Sequence, residues 1–437
     1  MLGAVFLVGY AWHTFAPGSL GTALFLGAGA VLFAMSVPWS SGFHRGFALA
    51  AFAALGVVIL MGRFHLSEFV EGMPAYFGIV AVLLVLSAAG YPIRAARYEV
   101  QIRALMGALT RRGVGVKATS GALGHVLGAV LDVGSFVLID VISGRAAPRE
   151  RIDSLKWAAR AFSFAPLWTN LNLLTATTIT VTGVPYPGLL IVTLPFVFLG
   201  LAVTLLAAQR EKGEVEDIPD TPLDRGAAAV LLYPVLLVAA VAVVSLLFPR
   251  LTLTATIAIT VAAVVLLIAL IATAMTRRAS PITRLARETG RSLTVSYSEF
   301  ALFGSAGILV LSLEALGALT PLGDLLSGLP IPLVAPALAV IMAVGFVCGI
   351  HVIPMVLLLN TAFPLDSGPA PALWAIAILL GSQAALLMTP FSSSVTMLSR
   401  LSGLHPLVAG PKKNWKFGLV IALGSAVYLV LLTTLLL

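Results

Sequence analysis

The chain has 437 residues, of which 59% are hydrophobic and 10% charged, and its mean hydropathy is +1.06. Soluble domains carry about 25% charged residues, so this composition excludes an ordinary soluble enzyme and implies an all-α polytopic membrane protein. The formal charge of +8 does not indicate nucleic acid, because Lys and Arg fall in short loops between apolar runs, the pattern of the positive-inside bias.

One crossing needs ~20 apolar residues. The runs at 1–16, 19–37, 44–62, 74–91, 153–183, 187–208, 226–248, 252–276, 296–318, 371–400 and 416–436 supply about eleven crossings. Residues 1–73 read as N-terminal scaffold helices. The first fifteen residues lack a basic start and are followed by more spans, so a cleaved leader is not expected. The basic, partly amphipathic stretch 91–117 predicts a cytoplasmic interfacial helix. Arg94, Arg97, Arg103, Arg111, Arg112 and Lys117 precede the apolar stretch 118–144, and Arg145, Arg149, Arg151, Lys156 and Arg160 follow it. Both flanks belong in the cytoplasm, so 118–144 is expected to enter and return as a hairpin. Its tip is read at Leu131-Asp132-Val133-Gly134-Ser135.

The run 153–183 is too long for one straight helix and carries Pro166 in Ala165-Pro166-Leu167-Trp168-Thr169-Asn170-Leu171-Asn172. A proline removes a backbone donor and breaks a helix, so a break is expected here. Residues 74–208 form the first repeat and the mixed-charge segment 209–225 a cytoplasmic linker. The second repeat covers 226–437. Within it 277–291 is another basic interfacial stretch, and no Lys or Arg occurs between 292 and 399. The apolar 331–364 is therefore expected to dip in from outside, with its tip at Cys348-Gly349-Ile350-His351. The run 371–400 carries Thr389-Pro390-Phe391-Ser392-Ser393-Ser394-Val395-Thr396, a second break. Aligning Pro166 with Pro390 pairs Asn170 with Ser394, and the opposed loop charges make the two copies inverted. The N-terminus is expected inside and the C-terminus outside a bacterial-type inner membrane.

Backbone groups freed at membrane depth must line a protein cavity, not lipid, and half-helix N-termini favour anions. Intramembrane Asp132 and His351 stand out because ionisable groups are costly there. His125, Asp140, Glu299 and Glu314 are placed nearer the membrane interfaces. One cysteine, Cys348, allows no internal disulfide and no multi-cysteine metal site. No Gly-Lys-Ser/Thr phosphate loop is present.

The stretches GFVCGIHVIPMVLLLNTAFP and LLMTPFSSS resemble the second-half pattern of the ion-transporter superfamily, and FAPLWTNLNLL resembles its first-half break. That superfamily includes divalent-anion/sodium symporters and the large membrane subunits of tripartite dicarboxylate transporters. The resemblance covers about 74–437. It departs from the pattern at both tips, where the Ser-Asn-Thr signature is absent and Asp132 and His351 stand instead. It implies substrate and cation binding at Asp132, Gly134, Ser135, Thr169, Asn170, Asn172, Gly349, His351, Thr389, Ser392, Ser393, Ser394 and Thr396. It also implies an elevator-type movement of that core against a scaffold. The expected function is cation-coupled transport of a small organic anion, with Na⁺ or H⁺ as coupling ion and no other cofactor. Partners are the solute and the bilayer, with a homodimer left open. An intramembrane enzyme and a passive channel are the alternatives.

Overall fold

With no water in the bilayer core, every backbone N–H and C=O of a spanning segment must be paired within the segment, which leaves the helix as the solution for apolar runs of this length. The computed structural model describes residues 2–16, 18–40, 42–92, 98–143, 148–211, 225–248, 251–276, 281–287, 297–366 and 370–436, and the regular elements among them are all helical. In chain order they are α1 (Leu2–Phe15), α2 (Ser19–Ser36), α3 (Gly42–Leu60), α4 (Leu66–Ala89), α5 (Tyr98–Arg111), α6 (Val116–Leu131), α7 (Gly134–Ile142), α8 (Pro148–Phe162), α9 (Leu173–Thr182), α10 (Tyr186–Arg210), α11 (Arg225–Leu247), α12 (Leu253–Thr276), α13 (Tyr297–Ala315), α14 (Thr320–Ser327), α15 (Ile331–Val347), α16 (Val352–Ala362), α17 (Pro371–Leu386), α18 (Ser393–Ser402) and α19 (Lys413–Leu436). A further helical run covers 281–287. The linker expected at 209–225 lies mostly outside the described residues, as do Arg94, Arg97, Arg145, Arg277, Arg278 and Arg291.

Among the described residues five helices are long and apolar enough to cross a membrane alone: Leu20–Trp39, Leu66–Leu86, Tyr186–Arg210, Leu253–Met275 and Val408–Leu436. α13 and α14 together would make a sixth span, bent by 76°. Shorter apolar helices of 10–17 residues include α6, α9, α15, α16 and α17.

Contacts divide the chain into two compact units, and each draws on both sequence halves. The first comprises Met1–Tyr91, Val244–Gly328 and Leu357–Pro364. In it α13 packs against α2, α3 and α4, α12 runs along α4, and α1 along α2. Phe6 joins Phe25 and Phe300 at ring-centroid distances of 5.2 and 5.1 Å. A Cβ at Gly9 would sit 2.8 Å from the Phe25 backbone nitrogen, so glycine is what lets α1 approach α2. An open cleft of about 290 Å³ in this unit is lined by Glu314, Thr320, Asp324, Ser327 and Thr361.

The second unit comprises Pro92–Val243, Leu329–Val356 and Leu365–Leu437. Lipid offers no hydrophobic drive between helices, so close approach at small residues holds them together. α6 meets α8 where a Cβ on Gly124 would lie 2.8 Å from Ala158, and α15 meets α17 where Gly381 abuts the Ala339 carbonyl. The amphipathic helix expected at 91–117 exists as α5, but its apolar face is not free for lipid. Ile102 and Met106 are fully buried in the core with Leu123, Leu127, Phe136 and Phe162.

Within 118–144, α6 and α7 pack against each other across Asp132 and Val133. At the second expected tip the chain bends back at 348–351, bringing the Met355 thioether against Gly345. Within the second unit α15 lies along α17 and α19. Within the first, Leu357 and Leu358 of α16 pack with Tyr76, Ala306 and Val310.

Candidate functional site

All thirteen residues singled out in the sequence fall in the second unit. Both long runs are broken where expected. α8 ends at Phe162, and a 3₁₀ turn at Ala165–Leu167 follows before α9 starts at Leu173. The Asn172 side chain accepts from Leu174 N at 3.0 Å and caps α9, which ends at Gly183 with φ 65°. α17 ends at Leu386, Ser392 Oγ accepts from Val395 N at 3.1 Å to cap α18, and α18 ends at Gly403 with φ 69°. Such caps satisfy helix-start N–H groups that have no partner within the helix. Thr169 Oγ1 accepts from Leu171 N and Thr389 Oγ1 from Phe391 N, each at 3.3 Å.

These matches set a register different from the one the prolines suggest. Thr169 corresponds to Thr389, Asn172 to Ser392 and Gly183 to Gly403. Asn170 therefore pairs with Pro390 and not with Ser394. Pro166 belongs to the 3₁₀ turn Ala165–Leu167, and the bonds that close it, from Trp168 N and Thr169 N to Ala165 O, recur as Met388 N and Thr389 N to Ala385 O.

The two broken helices pair half against half, α9 along α17 and α18 along α8. Gly183, at the end of α9, lies beside Asp366, just ahead of α17, so α9 and α17 run in opposite directions. Each tip rests on the break of its own half. Thr169 Oγ1 donates to Ala129 O at 3.0 Å, one turn before the first tip. At the second, a Cβ on Gly349 (φ 97°) would lie 3.2 Å from the Phe391 ring.

Asp132 has φ 51° and ψ −136°, and among the described residues it is the one non-glycine at positive φ. Side chains at such angles cost on the order of 1–3 kcal/mol. Asp132→Gly is therefore expected to raise stability by about 1 kcal/mol, read as a higher thermal midpoint in detergent. An unchanged or lower midpoint would show that the carboxyl contributes more than the strain costs.

Of the remaining residues, Gly134 opens α7 and Ser135 is buried, its Oγ donating to Asp132 O at 2.8 Å. Thr169, Thr389 and Ser392 are buried and bonded as described. His351 is half-buried, its Nδ1 3.5 Å from Ile353 N. Asp132, Ser393 and Thr396 are exposed on this unit. Asn170 donates from Nδ2 to Val238 O at 3.2 Å, yet its Oδ1 is buried without a hydrogen-bond partner, as is Ser394 Oγ.

The bonding of three further residues was not readable in the sequence. His125, placed near a membrane interface, is 6% exposed. Its Nε2 accepts from Trp168 Nε1 at 3.1 Å, and its Nδ1 lies 2.9 Å from Ala161 O. Indole N–H only donates, so the imidazole is neutral and ties α6 to the turn at 165–168. Gln383, 5% exposed on α17, has neither amide atom hydrogen-bonded. Its only sequence signal is a lone amide in an otherwise apolar run. Asp140 forms a two-bond pair with Arg151, at 2.6 and 2.8 Å. Glu299 is half-buried, and Glu314 lines the open cleft of the first unit.

At the end of α10, Glu211 accepts from Lys156 Nζ at 3.0 Å and Trp157 Nε1 at 2.7 Å, and Lys117 Nζ lies 3.4 Å away. Partial burial works against its charge, but the bonds from Lys156 and Trp157 and the Lys117 charge hold the carboxyl below the usual range. Gln209 adds two backbone bonds, to Gly113 O at 2.8 Å and from Gly115 N at 2.6 Å.

Apolar residues are exposed along the long spans, among them Phe198, Leu199, Val203 and Leu206 of α10 and Val420, Leu423 and Val427 of α19. The chain is a multi-pass helical membrane protein. No family model and no curated protein sequence matches it. Among solved structures it is similar to the YdaH transporter of Alcanivorax borkumensis, at 15% identity over 84% of this chain and 86% of that one, with a TM-score of 0.46.

Proposed function

We propose that this protein is a secondary transporter that moves a small organic anion across the inner membrane by cation-coupled, elevator-type alternating access. One observation carries the reading: two helices broken in mid-run pair half against half in one compact unit and leave buried polar atoms, Asn170 Oδ1 and Ser394 Oγ, without partners. A simple kink would return its hydroxyls and amides to its own helix. The half-helices α9 and α18 start at the breaks, and their first-turn N–H groups and dipoles favour an anion. Lys and Arg are absent from 292–399, so positive potential comes from those dipoles and from a coupling cation. The two halves form inverted repeats, and the unit carrying the thirteen residues is the part that moves.

The test is uptake in proteoliposomes with imposed Na⁺ and H⁺ gradients. Losing one neutral hydrogen bond costs roughly 0.5–1.5 kcal/mol. Asn170→Ala and Ser394→Ala should each weaken uptake several-fold at matched expression, and Ser245→Ala should not. If both site variants keep wild-type affinity and rate, the breaks are only kinks.

A further inference from the structure

Several cations of the second unit are neutralised by the chain itself. Arg151 pairs with Asp140, and Lys117 and Lys156 meet Asp153 and Glu211. Lys412, Lys413 and Lys416, at the start of α19, are different. All three are exposed, and among the described residues no carboxylate pairs with them. No Asp or Glu occurs between 367 and 437. The backbone that carries them is nonetheless fixed. Asn414, 1% exposed, donates to Ala409 O at 3.1 Å and Gly410 O at 3.0 Å across the π-helical turn Val408–Lys412. Arg160 donates to Asn414 Oδ1 at 3.0 Å and to Lys413 O at 2.8 Å.

The span Val408–Leu436 has 29 residues, about 43 Å of helix at 1.5 Å per residue, against ~30 Å of hydrocarbon. The residues near its start therefore reach the headgroup level. Trp415 marks that level, half exposed with the Lys416 Nζ 5.5 Å from its ring centroid, since indole rings favour the membrane–water boundary. At 100° per residue, Lys413, Lys416, Leu419, Leu423 and Val427 share one third of the circumference of α19. The opposite face buries Gly418, Ile421 and Ser425. Leu419, Leu423 and Val427 are exposed. From Lys416 to Val427 the stripe runs about 16 Å, close to half of the ~30 Å hydrocarbon layer.

An exposed apolar stripe alone would suit any lipid or a second copy of the chain. The lysines decide between them. Copies in one membrane share an orientation, so pairing through this face sets the same lysines against each other at one level. Three uncompensated cations heading a stripe one leaflet deep instead complement a negative headgroup with an acyl chain attached. We propose that Lys412, Lys413 and Lys416, beside Trp415, hold the phosphate of an anionic phospholipid whose acyl chain lies along Leu419, Leu423 and Val427. The site stands apart from the tips and the breaks and does not depend on the carrier reading.

The test uses the full chain in mixed micelles of detergent with phosphatidylglycerol or phosphatidylcholine. The thermal midpoint of the wild type rises with the mole fraction of phosphatidylglycerol and saturates, and phosphatidylcholine gives a smaller rise. Changing all three lysines to Gln removes the difference between the lipids while leaving the midpoint in phosphatidylcholine unchanged. Changing all three to Arg keeps the difference. Each single Gln variant raises the phosphatidylglycerol fraction needed for half the gain by roughly fivefold. Arg284→Gln with Arg287→Gln, which takes two exposed charges off another basic stretch, leaves the gain intact. Equal gains from the two lipids, or a triple Gln variant with the full gain, overturn the site. So does an equal loss in the Arg284 and Arg287 variant, which would reduce the effect to general surface charge. Inorganic phosphate in phosphatidylcholine micelles should not reproduce the gain; if it does, the lysines bind a free anion and not a lipid. Leu423→Cys on a Cys348→Ala background is the last arm. A disulfide between two copies at that position would show that a second chain covers the stripe, and the lipid site would fall.

Discussion

Gly381→Ala should cost about 1–3 kcal/mol, the usual range for overpacking a close contact, and Gly381→Leu more. A Cβ at this position collides with the Ala339 carbonyl, a backbone atom that cannot swing aside. α15 and α17 would have to separate, and with them the second tip and the second break. Gly56→Ala is the control: nothing lies within 4 Å of its Cβ position on α3. That change should be neutral or stabilising, since alanine favours the helix by roughly 0.8–1.0 kcal/mol. Thermal midpoints and size-exclusion profiles of the two variants would check this. Equal midpoints would mean that α15 and α17 are not held at backbone distance.

Glu211→Leu should cost roughly 2–4 kcal/mol, less than the full 3–5 of a wholly buried pair because Glu211 is partly exposed. It leaves Lys117, whose side chain is 5% exposed, with Glu150 at 3.9 Å and Asp153 at 3.4 Å but without its third carboxylate. It also strips Lys156 and Trp157 of their shared acceptor. The wild type should show the same weakness on acidification. The Glu211 carboxyl is held below its unfolded value of about 4.3, so its contribution is complete above that pH and is lost as the pH falls through the lower folded value. Thermal midpoints between about pH 5 and about pH 3 should fall more steeply for the wild type than for Glu211→Leu. Parallel curves would remove Glu211 from the account.

Composition and loop charge made the helical membrane class legible, and proline in over-long runs located both breaks. The break between α6 and α7 was legible in the Asp132-Val133-Gly134 stretch of the apolar run 118–144. Register was not. Pro166 and Pro390 look equivalent in a string of letters, but Pro166 precedes the matched Thr169 while Pro390 follows Thr389. Only the capping bonds of Asn172 and Ser392 reveal the true match. The fate of α5 was equally hidden, since an amphipathic pattern states that one face is apolar but not whether lipid or protein covers it. The partners of His125 and the lack of any for Gln383 were not legible, because hydrogen-bond satisfaction is a property of neighbours brought together by the fold.

The bonds on Trp168 have a consequence for local stability. Its Nε1 is fastened to His125 and its carbonyl to Tyr186 Oη at 2.6 Å. In the register set by Thr169 and Thr389 the matching positions are Met388 and Pro406, which have no side-chain N–H or O–H to give. The two breaks are therefore unequally anchored, and local opening should cost less free energy at the second than at the first.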